Sequence, residues 1–298
     1  MDLGIYILSY NRLDELKSVV QKLLALHQGD IREIIILDQG STDGTRDYLG
    51  GIKESVFQVI FSDKNLGVAG GRHRLMQESK AELCLFLDDD SYLVEDSIEK
   101  IKQRFYHDEL LDFISLNIID LDGNRRDWPH SRSLKKQWLD SWPAMNFVGC
   151  GHVIRKESYF MAGGYSPTDM FYAEELDLAF KFYAYRKRIT GKYCGDIKVV
   201  HLASQKSRLH WTGQRLVFRV KNRITYYLAS FSLLSPLTWV FLFGFLFSDL
   251  ILALKNQNLS GFFSGLHSVK FTVKSRCSVL STIRYQVLHI KYLLGYGI

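Results

Sequence analysis

Cysteine is scarce in this chain, and Cys84, Cys150, Cys194 and Cys277 never fall at a short paired spacing. That excludes a structural zinc motif and a paired redox motif, and free thiols in a reducing compartment follow most simply. No leader is expected either. Met1-Asp2-Leu3-Gly4-Ile5 is acidic and enters a strand pattern at once, without the basic start and apolar core of a signal peptide. The soluble part is therefore expected in the cytoplasm. Internal repeats and low-complexity tracts are absent, and apolar and aromatic contents of 47% and 13% exclude a disordered chain. At 298 residues, one or two domains with a proper core are expected.

Acidic residues almost vanish from the last third. From Val199 onward Asp249 stands alone against twelve lysines and arginines, although the whole chain carries only +6. The same region holds the most apolar run, Phe231 to Leu254, broken by Ser232, Ser235-Pro236, Gly244 and Ser248-Asp249. Its length would span a bilayer. Basic residues flanking apolar helices also fit peripheral contact with an anionic leaflet, and a soluble helical subdomain or oligomer interface is the third alternative. Nucleic acid is not expected as a partner: the basic residues interleave with lipid-like apolar stretches, and no nucleic-acid motif occurs.

The first 120 residues alternate between strand and helix patterns. Strands are expected at 5–9, 33–37, 56–61 and 83–87, and helices at 13–26, 42–49, 69–78 and 94–105. Such alternation implies an α/β fold, a mostly parallel sheet with helices on both faces. Residues 120–145 read as an irregular insertion. A boundary near 205/206 separates this part from a mainly helical C-terminal extension with a membrane-associating character.

Ligands in such sheets sit outside the carboxyl ends of the strands. Four polar clusters fall there: Ser9-Tyr10-Asn11-Arg12, Asp38-Gln39-Gly40-Ser41, Asp63-Lys64-Asn65 and Asp88-Asp89-Asp90. The last is the most informative. An apolar run ends in three carboxylates, which repel one another unless a cation neutralises them. In an extended segment Asp88 and Asp90 share a face, and Mg²⁺ or Mn²⁺ suits such a donor set. A solvated acidic turn opening the next helix is the bland alternative.

These blocks, with Asn65-Leu66-Gly67 through Arg72, Gly149-Cys150-Gly151, Gly163-Gly164-Tyr165, Glu174-Glu175-Leu176-Asp177, His201 and Asn222-Arg223, resemble the family 2 glycosyltransferases in order and spacing. The resemblance runs through about residue 225. It implies the GT-A (Rossmann-like) fold for residues 1–205, followed by the basic, apolar helical region at 206–298. It also assigns roles. Ser9, Tyr10, Asn11 and Arg12 would contact the nucleotide-sugar, Tyr10 as a platform for the base unless it packs in the core. Asp38 would accept from a base N–H. Asn65, Gly67, Arg72, Asp88 and Asp89 would complete the nucleotide-sugar site, while Asp43 could equally cap a helix. Asp90 and His201 would hold the metal, although a histidine after a strand can be structural.

The family's catalytic base falls at Glu175, with Glu174 and Asp177 beside it. On a helix Glu174, Asp177 and Lys181 form one ion-paired stripe, and Glu175 lies off it beside Leu178 and Ala179. Partial burial there would raise its pKa and suit a general base, and which of Glu174 and Glu175 acts stays open. Helix N-terminal charges are the other explanation for these acids. Trp128, Trp138, Trp142 and Trp211 could line an acceptor groove or pack in the core.

The resemblance thus implies inverting, metal-assisted transfer of a single sugar from a nucleoside-diphosphate donor, of UDP or TDP type, to a hydroxyl of a glycan or lipid-linked acceptor. The setting would be polysaccharide assembly at the inner face of the cell membrane. Gln214-Arg215-Leu216 lacks the Gln-x-x-Arg-Trp signature of processive synthases, so single addition is expected. Arg72, His201 and Lys206 or Arg208 could add positive charge at the diphosphate. Two alternatives remain. A nucleotidyltransferase-like enzyme would carry a Gly-rich phosphate loop near its start, and Ile7 to Arg12 has no glycine. A catalytically silent membrane-associated binding protein would tolerate loss of Asp88, Asp90, Glu175 and Asp177, which are all present.

Overall fold

A computed structural model describes residues 1–26, 31–94, 96–127, 141–166, 172–202, 214–269 and 278–294. Three apolar strands alternate tightly enough to need cover on both faces: β1 (Leu3–Ser9), β2 (Glu33–Asp38) and β4 (Leu83–Asp88). With β3 (Phe57–Phe61) they form a parallel sheet in the order β3-β2-β1-β4, which matches the expected half. Leu3, Ile5 and Ile7 of β1 bury on one face with Ile34, Ile36, Leu83 and Leu85. Tyr6 points the other way with Ile35, Cys84 and Phe86. The period of two therefore divides the chain into two cores.

α1 (Leu13–Leu24) and α4 (Ser97–His107) cover the first face. Leu16, Val19, Val20 and Leu23 of α1 recur at helical spacing and are fully buried, each burial contributing about 1.5–3 kcal/mol. The opposite face receives α3 (Gly67–Glu78) and α6 (Glu174–Arg186). Short α2 (Thr45–Gly50) starts later than expected because residues 40–44 form a turn. There Asp43 accepts from the Thr45 amide (3.1 Å), the Thr45 hydroxyl (2.6 Å) and the Leu13 amide (3.0 Å), so it is a loop staple.

Beyond β4 the sheet is mixed. β6 (Phe113–Ile119) and β10 (Gly191–His201) run parallel to each other, and β9 (His152–Arg155) inserts antiparallel between β4 and β6. β5 (Ser91–Leu93) pairs antiparallel with the end of β10, taking residues expected in the following loop. In the region read as an irregular insertion, β7 (Arg125–Asp127) pairs with β6 and β8 (Ser141–Ala144) with β10. Trp142 stacks on Tyr193 with ring centroids 4.0 Å apart. Trp128, Trp138, Trp211, Lys206 and Arg208 lie outside the described residues.

α5 (Lys156–Met161) leads back towards the site. The C-terminal region is helical, as expected: α7 (Gln214–Ser230), α8 (Pro236–Lys255), α9 (Leu259–His267) and α10 (Val279–Leu294). Phe231 and Tyr285 from this region close on Phe180 of α6, with centroids 4.8 and 4.9 Å apart. Asp249, the lone acid of α8, is completely buried and accepts from Arg219 (2.6 Å) and Arg223 (2.8 Å) of α7. A buried acid in an apolar helix needs such partners.

Candidate active site

Strand register brings the site together. Ser9 lies opposite Asp38 across β1 and β2, and Leu8 opposite Asp88 across β1 and β4. The ends of three strands thus deliver the polar clusters to one edge. Tyr10 is 45% exposed there, which excludes the core-packed alternative. Asn11 takes a left-handed conformation (φ 53°) and ties the first loop to the second. Its amide donates to Ser41 Oγ at 2.9 Å, and its Oδ1 accepts from the Thr42 amide at 2.7 Å. Asp38 is fully buried, and its carboxylate accepts from the Gly40 and Ser41 amides at 3.2 and 3.3 Å. It therefore shapes the turn under any bound base. Asn65 accepts from the Gly67 amide at 2.8 Å where α3 begins.

The three aspartates separate by environment. Arg12 reaches both Asp89 (Nη1–Oδ1 3.0 Å) and Asp90 (Nη2–Oδ2 2.6 Å). His201 Nε2 also lies 3.1 Å from Asp90 Oδ1. Burial works against the Asp90 anion, but His201 and Arg12 together hold its carboxyl down to about 2. Burial pushes Asp89 up to about 7, with Arg12 opposing. Asp88 stays the most open of the three, with a side chain 40% exposed. Sequence analysis assigned Arg12 to the nucleotide-sugar; here its guanidinium braces the acidic tip of β4.

Arg72 projects from α3 into the interior, almost fully buried, and joins two acidic groups. It sits 3.6 Å from Asp88 Oδ1, 3.3 Å from Glu175 Oε1 and 4.0 Å from Glu174 Oε1, and donates to the Gly149 carbonyl at 2.9 Å. The role expected for it beside the nucleotide becomes a bridging one. Gly149 lies close under these groups: a Cβ there would stand 2.6 Å from Glu175 Oε1 and 2.9 Å from Arg72 Nη2, so both side-chain tips would have to shift.

The entry to α6 is strained. Tyr172 and Ala173 both have positive φ (77° and 72°), conformations costing about 1–3 kcal/mol each for non-glycine residues. This aims the first turn of α6 at Arg72. The helical stripe containing Glu174, Asp177 and Leu178 faces inward, so Glu175 is partly buried, as expected, while the deeper burial falls on Glu174. Glu174 is 5% exposed with Oε2 lacking a hydrogen bond, whereas the Glu175 side chain is 22% exposed. Burial, then the charge of Glu175, raises Glu174 well above the usual carboxylate range, with Arg72 opposing. Asp177 is locked by Lys181 and Ser166, both at 2.9 Å, confirming that part of the stripe. Asp177 anchors the first turn of α6.

For a divalent ion the chemistry fits: three crowded carboxylates meet an imidazole. The donors that converge within 4.8 Å of one another are Asp88, Cys150 and His201, from three different parts of the sheet. Cys150, Gly149, Ser166 and Lys181 are the site residues to which sequence analysis gave no function. Cys150 lay inside a quoted glycine block, which was its only signal.

This arrangement has counterparts. The model of "Glycosyl transferase family 2" matches residues 5–177. The UDP-Glc:alpha-D-GlcNAc-diphosphoundecaprenol beta-1,3-glucosyltransferase WfaP of Escherichia coli is 36% identical over 91 residues, 30% of this chain and 36% of that protein. The poly-beta-1,6-N-acetyl-D-glucosamine synthase of Staphylococcus aureus (strain MSSA476) is 25% identical over 265 residues, 78% of this chain and 61% of the synthase. In fold, the chain is similar to the crystal structure of GalNAc-T7 with UDP, GalNAc and Mn²⁺. That match has a TM-score of 0.62 at 14% identity and covers 78% of this chain and 48% of that one. The chain therefore spans less than two thirds of each of these three proteins. Because the family model covers more than half of its length in register with the β4 tip and the start of α6, the chain belongs to glycosyl transferase family 2.

Proposed function

We propose that this protein transfers one sugar, with inversion, from a UDP- or TDP-type donor to a hydroxyl of a glycan or lipid-linked acceptor in cell-surface polysaccharide assembly. The observation that carries this is Arg72, which holds Glu175 and Asp88 on opposite sides of one buried guanidinium. A donor with its diphosphate at the β4 tip and its base against Tyr10 places the anomeric carbon between the acids and α6. Glu175, the more open of the glutamates, takes the acceptor proton as the new C–O bond forms on the face opposite the breaking bond. No covalent enzyme intermediate is needed. Asp88, Asp89, Asp90 and His201 are the residues available to hold Mg²⁺ or Mn²⁺, which when bound would offset charge on the departing diphosphate. Arg12 keeps the tip in place, and Asp177 fixes α6. WfaP is named for a diphosphoundecaprenol acceptor, which favours a lipid-linked acceptor here as well.

The region from about residue 206 would keep the enzyme at the inner face of the membrane. Among the described residues, α8 alone is long and apolar enough to cross a bilayer, with a mean hydropathy of 2.1. Asp249 ties it sideways to Arg219 and Arg223, so spanning would carry three buried charges into lipid. An in-plane position fits better. Val240, Phe243, Phe247 and Leu254 of α8 are 56–66% exposed along one face, and Lys255, Arg284 and Lys291 lie exposed beside the apolar helices. Changing Phe243 and Phe247 together to Ser should release the protein from anionic vesicles in a flotation assay, with the melting temperature unchanged. Persistent flotation of that variant would remove this face from the membrane contact.

Calorimetric titration with UDP, TDP and GDP, with Mn²⁺ or with chelator, tests the donor site. Binding of one nucleotide that needs the metal and is lost in Asp90→Ala is expected. Failure of every nucleotide with folded protein would leave a silent binding protein as the better account.

A further inference from the structure

We propose that Cys150 binds the divalent ion of this site as a thiolate, together with Asp88 and His201, while Asp90 orients the imidazole. This rests on the transferase function above only for the location of the ion. Three observations converge on it. The ligand atoms of Asp88, Cys150 and His201 lie within 4.8 Å of one another, a span that small side-chain rotations close to a single ion. Cys150 Sγ lies 3.8 Å from His201 Nδ1, about the separation of two ligands on one tetrahedral ion. His201 Nε2 faces Asp90 Oδ1 at 3.1 Å. With its proton on Nε2, towards the Asp90 carboxylate, the imidazole would offer an unprotonated Nδ1 to an ion, the usual arrangement of a metal-bound histidine and its carboxylate partner. Asp90 is in turn held by Arg12 at 2.6 Å, so its place is fixed before any ion arrives.

The backbone leaves Cys150 little choice of position. The Gly149 carbonyl is held by Arg72, and the Gly151 carbonyl accepts from the Leu116 amide at 2.9 Å. A Cβ at Gly151 would stand 2.5 Å from Ile118 Cδ1, so the strand lies flush against its neighbour on that side. Cys150, 4% exposed, is thereby buried with its thiol beside His201 at the end of β10. On binding, the S–H bond breaks, its proton passes to solvent and a sulfur–metal bond forms, with no change of oxidation state. A donor set of one oxygen, one nitrogen and one sulfur favours borderline ions such as Zn²⁺ and Co²⁺ over Mg²⁺.

The test is titration of the reduced full chain with Co²⁺, followed by near-ultraviolet absorption for the sulfur-to-cobalt charge-transfer band. One equivalent should develop the band, and Zn²⁺ should abolish it by displacement. Cys150→Ser should lose the band, while Asp90→Asn should keep it with affinity lowered about 10- to 100-fold. Absence of the band in the parent protein, or its survival in Cys150→Ser through another thiol, overturns the proposal. So does loss of the band in a folded Asp90→Asn protein, which would make Asp90 the ligand. Titration of the same samples with UDP, TDP and GDP separates the two ideas. UDP or TDP binding without the band removes Cys150 and keeps the transferase; the band without binding of UDP, TDP or GDP does the reverse.

Discussion

Glu175→Gln should lower kcat by about 10²- to 10⁴-fold while changing nucleotide affinity by no more than about twofold. The amide keeps the size and the contact to Arg72 but cannot take a proton from the acceptor. Release of UDP from a UDP-sugar, offered with a polyprenyl-diphosphate-linked sugar, measures the first effect and calorimetry the second. Glu174→Gln is the contrasting variant. Burial raises Glu174 well above the usual carboxylate range, so an uncharged amide should replace it more closely than it replaces Glu175, and turnover should fall far less. Its pH dependence has a definite sign. In the unfolded chain Glu174 ionises near its ordinary value, whereas in the fold it does so only at higher pH. Wild-type stability therefore declines as pH rises from the first value through the second. Glu174→Gln lacks that decline, so its melting temperature should match the wild type near about pH 4 and exceed it at about pH 8. If Glu174→Gln abolishes turnover and Glu175→Gln does not, the base is Glu174.

Arg72→Ala should cost about 3–5 kcal/mol in denaturant unfolding at neutral pH, and turnover with it. The guanidinium is the only described cation within 4.0 Å of Glu174 and Glu175, and its removal leaves the buried Glu174 and its neighbours Glu175 and Asp88 without that counter-charge. Arg72→Lys should recover part of the stability but not the two-sided geometry, because an ammonium is a point charge without a fork. A fully stable Arg72→Ala protein would mean that solvent reaches these acids freely, and would undo the bridging role given to Arg72.

The N-terminal half of the fold was legible because its strands and helices follow one another with short loops, and each carries its own apolar period. The carboxyl-end clusters at Ser9, Asp38 and Asp88 could be placed on one edge for the same reason. β9 and β10 were harder, since their partners lie far away in sequence and β9 is only four residues long. At the site, residue types pointed to chemistry while rotation about α6 decided who was buried. Spacing alone places Glu174 and Lys181 on one stripe, but it does not say which stripe faces inward. That is why the partial burial of Glu175 was readable and the deeper burial of Glu174 was not. Arg12 and Arg72 were readable as cations near phosphate; the pairing of Arg12 with Asp90 and of Arg72 with Glu175 depends on contacts 78 and 103 residues apart. Asp249 shows the same limit, because nothing local to α8 announces Arg219 and Arg223.

β10 sets where His201 points, and it does so from its far end. Cys194 pairs with Leu116 and Lys198 with the very next residue, Asn117, so residues 195–197 bulge out of the ladder with β6. After the bulge, Val199, Val200 and His201 pair with Leu93, Tyr92 and Ser91 in unbroken antiparallel register. Length changes within 195–197 would be absorbed as a larger or smaller loop, leaving the imidazole in place. A single deletion between 198 and 201 has no such slack. It would shift side-chain parity by one, and the imidazole would swing to the opposite side of the sheet, away from Asp90.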